Sequence, residues 1–196
     1  MMLKEKLKDY HIILASGSPR RQQFFMEMGL DFEIRLKSVE EIYPSELKGE
    51  QIADYLSKLK ADVFKNDLQL NDILITSDTV VWNNGESLAK AENDSEAELM
   101  LQKLSGGWHQ VITSVCFTTH HKQISRNSTT NVKFKNLSTE EIHFYIEKYK
   151  PFDKAGAYGI QEWLGLIGIE EIKGSYTNVV GLPTHLVYET LMLMVE

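Results

Sequence analysis

The alternation of apolar and polar side chains along the chain predicts an ordered series of helices and strands. Between residues 51 and 64, apolar side chains recur every three or four positions, which is the period of an amphipathic helix. Residues 73–81 are apolar almost throughout, as in a central strand that is covered on both faces. The same kinds of pattern predict helices at 21–28, 94–104, 138–149 and 183–194, and strands at 12–14, 32–36, 111–119 and 129–134.

The second half of the chain adds antiparallel pairing to this alternation. The last two of these strands are separated by the polar stretch 120–127, which predicts a hairpin. Residues 166–169 and the segment around Ile172 are predicted to extend the sheet, and 174–181 to form a turn-rich loop. We therefore predict an α/β fold, with a mixed central sheet flanked by helices and a cleft between two lobes. No repeat or linker divides the sequence, so residues 1–196 are predicted to form one domain.

Composition and charge narrow the class of protein. With 42% hydrophobic and 25% charged residues, the chain of 196 residues has the composition of an ordinary globular protein. Its net charge of −7 argues against a general nucleic-acid binder, although a basic pocket inside an acidic protein would attract a small polyanion. The apolar runs are too short to span a bilayer and the first residues lack the apolar core of a signal peptide, so we expect a cytoplasmic protein without a membrane partner. The single Cys116 argues against a disulfide framework and a cysteine zinc site.

Residues 12–21, Ile-Ile-Leu-Ala-Ser-Gly-Ser-Pro-Arg-Arg, predict a strand that leads through a tight turn into a helix. Ser18 suits the N-cap and Pro19 the first helical position, which leaves free N–H groups and the positive end of the helix dipole at the turn. Such a junction binds anions, and side-chain donors to phosphate are available from Ser16, Ser18, Arg20 and Arg21. An ordinary capped helix with two solvated arginines is the alternative interpretation of so short a motif. The spacing fits neither a Walker A loop nor a dinucleotide-binding fingerprint.

Asp78 lies inside the most strand-like run of the chain. A carboxylate among apolar strand residues costs free energy unless a metal, a cation or a reaction accounts for it, so Asp78 is a candidate catalytic residue. An aspartate at the strand's end that caps the next turn is the alternative. The small-residue loop 153–161 is typical of a segment that contacts a ligand. We expect His120 and His121 to point apart on the surface rather than bind a metal, and assign no role to His109.

Five stretches of the chain form a specific combination of motifs. They are Leu-Ala-Ser-Gly-Ser-Pro-Arg-Arg at 14–21, Ser-Asp-Thr-Val-Val at 77–81, Leu-Ser-Gly at 104–106 with His109 and Thr113 after it, the loop 153–161, and Gly-Ser-Tyr at 174–176 with Val-Val-Gly-Leu-Pro at 179–183. In this order and spacing they resemble the Maf family of nucleoside triphosphate pyrophosphatases over nearly the whole chain. The resemblance implies a fold like that of the inosine triphosphate pyrophosphatases, a deep nucleotide cleft, a divalent metal cation (Mg²⁺ or Mn²⁺) and frequent homodimers.

Hydrolysis of a nucleoside triphosphate to monophosphate and pyrophosphate needs a water molecule aimed at the α-phosphorus, a carboxylate and cations along the phosphates. The resemblance implies that Asp78 is the general base and a metal ligand, and that Glu41 is a second metal ligand. The resemblance also implies that three lysines bind the phosphates: Lys60, Lys90 and Lys154. For the last of these, half of a local ion pair with Asp153 is the alternative. One position departs from the family's pattern, because Ala91 stands where a proline commonly follows the second lysine.

Three positions separate the branch of that family that acts on dTTP and UTP from the branch that acts on 7-methyl-GTP. In this sequence they are Arg20, Thr79 and Gln161, which is the pyrimidine combination. A glutamine amide offers a donor and an acceptor side by side, as the edge of uracil requires. We therefore predict a dTTP and UTP pyrophosphatase whose partner is a nucleoside triphosphate and not a nucleic-acid polymer. The alternatives are a preference for 7-methyl-GTP and a nucleotide-binding regulator of cell division without turnover.

Overall fold

The computed structural model describes residues 2–195, which form one mixed sheet with helices on both faces. The helices are α1 (Leu3–Lys6), α2 (Pro19–Glu27), α3 (Glu50–Asp62), α4 (Asp94–Leu104), α5 (Thr139–Tyr149), α6 (Trp163–Gly168), α7 (Tyr176–Val180) and α8 (Thr184–Met194), and a single 3-10 turn covers Lys65–Asp67. The strands are β1 (His11–Leu14), β2 (Glu33–Ile34), β3 (Asp72–Asn83), β4 (Glu86–Leu88), β5 (Trp108–Thr118), β6 (Gln123–Phe134) and β7 (Ile169–Lys173). Within residues 2–195, no helix has the length and apolar character needed to cross a membrane.

The seven strands make a sheet in the order β2-β1-β3-β5-β6-β7, with β4 paired to β3. β1 runs parallel to β2 and β3, whereas the pairs β3–β4, β3–β5, β5–β6 and β6–β7 are antiparallel. This confirms the predicted α/β class with a mixed central sheet. The predicted hairpin is also present, as β5 and β6.

One edge of β3 is interrupted, and this interruption creates the cleft. β1 pairs with β3 only as far as Ile75, whose carbonyl still accepts a hydrogen bond from the N–H of Ala15. β4 pairs with the same strand only from Val81 onward. Between these two points, residues 76–80 have no neighbouring strand on that edge within the described chain, whereas β5 pairs continuously along the other edge. The middle of β3 is therefore open to one side.

Apolar side chains of the sheet alternate between two layers of helices. On one face, Ile52 and Leu56 of α3 pack against Val80 and Ile112. On the other face there are two separate apolar clusters, one around α1, α2 and α8 and one around α4, α5 and α6. These clusters form the two predicted lobes, and the open stretch of β3 lies between them.

The prediction that residues 166–169 extend the sheet is wrong. Trp163–Gly168 form the helix α6, and the strand β7 begins only at Ile169. A short apolar run fits a buried helix as well as a strand, and its period cannot distinguish them. Here Gly165 allows the helix to lie directly on the backbone of Ile160.

Two strand boundaries also differ from the prediction. β6 begins at Gln123, because residues 123–127 of the predicted loop pair with residues 114–118 of β5 and satisfy their backbone groups there. The strand predicted at 32–36 is limited to Glu33–Ile34, where it pairs with β1 at the edge of the sheet. Residues 32–36 alternate fully between apolar and charged side chains, but β1, their one pairing partner in the described chain, ends at Leu14, and so the ladder ends there.

The loop predicted at 174–181 contains the short helix α7. Its N-cap residue, Ser175, accepts a hydrogen bond from the N–H of Asn178 through its hydroxyl oxygen. Gly181 follows the helix with a φ of +122°, a conformation that favours glycine. The loop prediction was therefore correct at both ends and wrong in the middle.

The close contact of α6 with the preceding segment gives a stability test. A Cβ atom on Gly165 would lie 1.9 Å from the carbonyl oxygen of Ile160, so Gly165→Ala must push the helix away. We expect the free energy of unfolding, measured by urea denaturation, to fall by about 3 kcal/mol. Gly168→Ala is the control in the same helix, because its Cβ would first meet the end of the Leu137 side chain, at 3.3 Å, and we expect a loss below about 1 kcal/mol. Equal losses would contradict this packing.

Candidate active site

The turn between β1 and α2 has the geometry that its sequence predicts. Ser18 is the N-cap residue of α2 and Pro19 is its first residue. The N–H of Ser18 donates to Oγ of Ser16 over 3.3 Å, while the Ser18 side chain makes no capping hydrogen bond within the described chain. Its hydroxyl therefore remains available to a ligand, beside the N-terminus of α2.

This turn forms one wall of a cavity of about 700 Å³. The cavity lies at the open stretch of β3, and its remaining walls come from α3, the segment 36–43, the end of β4 and the loop 153–161. The residues that the sequence predicted for the site all line it: Ser16, Ser18, Arg20, Arg21, Glu41, Lys60, Asp78, Thr79, Lys90, Lys154 and Gln161. The fold thus brings into one cleft residues that lie far apart in the sequence.

Asp78 occupies the middle of β3, which excludes the alternative of a capping residue at the strand's end. Its carboxylate faces α3, and its Oδ1 lies 2.6 Å from Nζ of Lys60. The same ammonium group lies 2.9 Å from Oε1 of Glu41. Side-chain exposure is only 10% for Asp78 and 20% for Lys60, so water screens this pair less than a surface ion pair. One lysine therefore holds two carboxylates together at the open edge of the strand.

The charge around Glu41 favours its ionised form. Burial by itself raises the pKa of Glu41, but the attraction of Lys60, with weaker contributions from Lys90 and Arg21, outweighs burial and lowers the pKa below its ordinary value. Glu41 reaches the site from the irregular segment between β2 and α3, in which backbone pairing does not fix its position. Its contact with Lys60 adds to the ion pair of Lys37 with Asp67 and to the packing of Tyr43 against the α3 cluster, which also attach this segment.

The two carboxylates fit a divalent cation of the kind that the family resemblance implies. No group of three or more His, Cys, Asp or Glu side chains suited to a metal occurs among residues 2–195, so a complete protein cage is absent from that part of the chain. Mg²⁺ does not need one, because it is commonly held by one or two carboxylates together with substrate phosphates and water. Asp78 and Glu41 already converge on one cation, the ammonium group of Lys60. The donor chemistry thus fits Mg²⁺ or Mn²⁺ that enters with a phosphate ligand.

Arg21 occupies the interruption along β3. Its Nε donates to the carbonyl of Gly181 over 2.8 Å, its Nη1 to the carbonyl of Ser77 over 3.0 Å and its Nη2 to Oγ1 of Thr79 over 3.0 Å. The guanidinium group thus bonds a strand carbonyl that a neighbouring strand would otherwise bond. Burial lowers the pKa of Arg21, and the negative charge of Asp78 opposes that shift. Phosphate binding by Arg21 stays a prediction, to which the structure adds a positioning role that the sequence did not reveal.

A buried polar network that the sequence analysis missed fixes α3 on the sheet. Oγ of Ser114 donates to Oδ1 of Asp54 over 2.6 Å, and Nδ2 of Asn127 donates to its Oδ2 over 3.0 Å. Ser57, one turn further along α3, lies 3.0 Å from Ser114 through its hydroxyl, and its carbonyl accepts a hydrogen bond of 2.6 Å from Thr76. These bonds set the rotation of the helix that carries Lys60. No local pattern pairs residues so far apart in sequence.

The opposite wall of the cleft is held mainly by ion pairs. Arg20 reaches across the mouth to Asp153, with Nη1 3.2 Å from Oδ2. Nζ of Lys154 lies 2.6 Å from Oδ1 of Asp153 and 3.0 Å from Oε1 of Glu162, so the local ion pair considered for this lysine is present. Lys90 joins this wall through a backbone bridge to the loop. Lys90 and Lys154 therefore line this wall, and Arg20 reaches it from the anion-binding turn.

Two expectations about histidines have different outcomes. His120 and His121 are exposed, as predicted, but their rings do not point apart: they meet edge to face with centroids 4.6 Å apart. His109, for which the sequence suggested no role, is buried, and its Nε2 lies 2.7 Å from the hydroxyl of Tyr158. Burial lowers the pKa of His109 to about 4, so its ring is neutral at physiological pH.

Together these features define a class of site. An α/β fold places an anion-binding helix terminus, several cations and two convergent carboxylates in one cleft, an arrangement suited to a phosphorylated ligand. Comparison with known proteins agrees with that class. The family model described as Maf-like protein matches residues 11–194, and the chain belongs to this family.

Named relatives match the chain over nearly its whole length. The dTTP/UTP pyrophosphatase of Flavobacterium johnsoniae is 57% identical over 194 residues, which cover 99% of this chain and 100% of that protein. The protein of the same name from Christiangramia forsetii is 54% identical over 195 residues, covering 100% of both chains. Among solved structures, the Staphylococcus aureus Ham1 protein aligns with a TM-score of 0.47 and 17% identity, covering 63% of this chain and 71% of that one.

The contact between Lys60 and Glu41 can be tested by titration. The folded-state pKa of Glu41 is lowered, so this carboxylate stabilises the fold at neutral pH, and the stabilisation is lost as the pH falls through that pKa. We expect Lys60→Gln to raise the pKa of Glu41, because burial is then opposed by fewer positive charges. Carbon-13 NMR of the side-chain carboxyl groups measures it. Lys58→Gln, an exposed lysine of the same helix, should leave it unchanged, and an unchanged pKa in both variants would refute the contact.

Proposed function

We propose that this protein hydrolyses dTTP and UTP to the nucleoside monophosphate and pyrophosphate. The observation that carries the proposal is the convergence of Asp78, Lys60 and Glu41 in the cleft that the anion-binding turn also lines. Relatives named dTTP/UTP pyrophosphatase that are 57%, 58% and 54% identical over nearly the whole chain support the choice of substrate.

In the proposed reaction, a bond forms between a water oxygen and the α-phosphorus. The bond from the α-phosphorus to the oxygen that bridges to the β-phosphate breaks, and pyrophosphate leaves with its electron pair. Asp78 accepts the proton of the attacking water. Its side chain suits this role because it is shielded from bulk water and held in one position by Lys60.

The phosphates are proposed to lie between the two walls of the cleft. On one side, the hydroxyl groups of Ser16 and Ser18 and the charge of Arg21 accompany the helix N-terminus. On the other side, charge comes from the lysines Lys60, Lys90 and Lys154. Lys154 is paired with Asp153 and Glu162 without a ligand, so its contact with phosphate must replace or extend these ion pairs.

Asp78 and Glu41 are the residues proposed to hold Mg²⁺ or Mn²⁺. When bound, such a cation polarises phosphate oxygens and offsets negative charge that develops on them. The protein contributes two carboxylates already brought within contact distance of one positive group. Phosphate oxygens and water complete the remaining coordination positions.

Recognition of the base is assigned to Arg20, Thr79 and Gln161. Oγ1 of Thr79 is fixed by Arg21 and by the hydroxyl of Thr113, 3.0 Å away, so its position is set before a ligand binds. The amide of Gln161 makes no hydrogen bond within the described chain and lines the cavity, which leaves its donor and acceptor for the uracil edge. The homodimer, the cytoplasmic location and the absence of a nucleic-acid partner stay predictions.

Removal of the proposed base tests the reaction. Wild-type protein with Mg²⁺ should release pyrophosphate from UTP and dTTP, and Asp78→Asn should lower kcat at least about 100-fold, since an amide cannot accept the proton. Glu40→Gln is the matched control, because this exposed acid lies outside the cavity. Circular dichroism melts show whether both variants fold. Unchanged turnover in folded Asp78→Asn would remove the assigned base, and tight nucleotide binding without pyrophosphate release under any metal would indicate the regulator instead.

Exchange of the amide for an acid tests the choice of base. Gln161→Glu removes the donor that faces a uracil carbonyl, so we expect kcat/KM for UTP to fall about tenfold relative to kcat/KM for 7-methyl-GTP. A nucleotide panel followed by pyrophosphate release measures the ratio. Gln102→Glu, an equivalent change on the surface of α4, should not alter it. A wild-type preference for 7-methyl-GTP would overturn the assignment to pyrimidines.

A further inference from the structure

The segment that carries Gln161 is irregular and partly strained. Residues 153–162 contain no strand or helix, and only a single bridge joins Ala155 to Lys90. Gly156 has a φ of +68° and Ala157 a φ of +54°, and alanine rarely adopts such a conformation. Strained backbone of this kind persists only where surrounding groups fix it. The N–H of Gly156 donates to the carbonyls of Leu88 and Ala89 at the end of β4, and side chains fix the rest of the segment.

Two buried tyrosines hold residues 153–162 in place through hydrogen bonds of their hydroxyl groups. The N–H of Gly159 donates to the hydroxyl oxygen of Tyr145 over 2.9 Å, and that hydroxyl donates to Oε2 of Glu162. The hydroxyl of Tyr158 lies 2.7 Å from Nε2 of His109. The attached residues, Tyr158, Gly159 and Glu162, all lie within three positions of Gln161.

His109 is well suited to fix a neighbour. It belongs to β5, its residue exposure is 2%, and its ring packs edge to face on Tyr158 and on Phe134 with centroids 5.4 and 5.1 Å apart. It does not line the cavity. Its Nδ1 has no hydrogen-bond partner in the described part of the chain, so Tyr158 is its one polar contact there. Any effect of His109 on a nucleotide must therefore pass through Tyr158.

We propose that His109 and Tyr158 are a positioning pair that sets the orientation of Gln161 and thereby the preference for a uracil-type base. The inference rests on the proposed function, because it concerns the base subsite of the same cleft. The amide of Gln161 has no hydrogen-bond partner of its own within residues 2–195, so its reach into the cavity is set by the position of the backbone that carries it. A hydrogen-bonded base edge tolerates little displacement of these two atoms, whereas the phosphates are bound by other elements.

Binding of non-hydrolysable nucleotides tests the pair without relying on turnover. The probes are α,β-imido-UTP and α,β-imido-CTP, titrated calorimetrically into the protein in Mg²⁺ buffer. His109→Leu removes the hydrogen bond to Tyr158, and we expect it to weaken the UTP analogue about fivefold while the CTP analogue changes less than about twofold. In turnover assays KM for UTP should rise by a similar factor, with kcat within about twofold. His109→Gln, whose amide can still reach the hydroxyl, should restore most of the preference.

Controls separate positioning from general stability. Tyr149→Phe removes a hydroxyl from a partly buried tyrosine that stacks on Tyr145, and it should leave both Kd values unchanged. Should His109→Leu not fold, Tyr158→Phe decides the question with the same two probes. Equal weakening of both analogues, or an unchanged ratio in a folded variant, overturns the positioning role. If the wild-type protein prefers the UTP analogue but never releases pyrophosphate, the proposed reaction is refuted and this inference stands. If the wild-type protein does not prefer the UTP analogue, the inference itself is overturned.

Discussion

The site depends on an interruption in the hydrogen bonding of one strand. β1 separates from β3 after Ile75 and β4 joins only at Val81, so a stretch of the central strand has an open edge inside the molecule. A buried carbonyl without a partner costs about 1–3 kcal/mol, and the guanidinium group of Arg21 avoids that cost at Ser77. The residue that completes the sheet therefore also brings positive charge to the cavity. Fold and anion binding are linked through the same side chain.

Charge within the cleft links its two proposed ligands. The whole chain carries −7, yet the cavity gathers cations from α2, from α3, from Lys90 just after β4 and from the loop 153–161. Lys60 pairs with both Asp78 and Glu41 as long as no phosphate competes for it. A triphosphate that attracts Lys60 leaves two carboxylates close together, and like charges at that distance are unfavourable unless a cation replaces the lysine. Binding of phosphate and of a divalent cation should therefore favour each other.

Sequence alone predicted those parts of the site that local chemistry determines. Ser18 and Pro19 define a helix start by themselves, and Asp78 is conspicuous among apolar neighbours, so both could be found without a structure. The roles of Glu41, Lys60 and Gln161 came from the family resemblance instead. Contacts across long separations could not be predicted, such as Arg21 with Gly181 or Tyr145 with Gly159, because no spacing encodes them. The helix α6 was missed for a different reason, since a short apolar run has no distinguishing period.

The two walls of the cleft obtain their rigidity in different ways. Asp78 belongs to a strand that β5 pairs continuously from Leu74 to Trp82, and Lys60 to a helix attached to the sheet by the partly buried Asp54 network. The segment with Gln161 belongs to no strand or helix, and its strained backbone is held by the hydrogen bonds of Gly156 to the end of β4, by the buried Ala157 and Tyr158, and by hydroxyl and ionic contacts. We expect loss of one contact there to displace Gln161, whereas Asp78, Glu41 and the turn before α2 keep their supports. In the proposed assignment, Asp78 and Gln161 thus stand on separately supported elements, and substitutions in the loop are expected to alter base preference more than reaction chemistry.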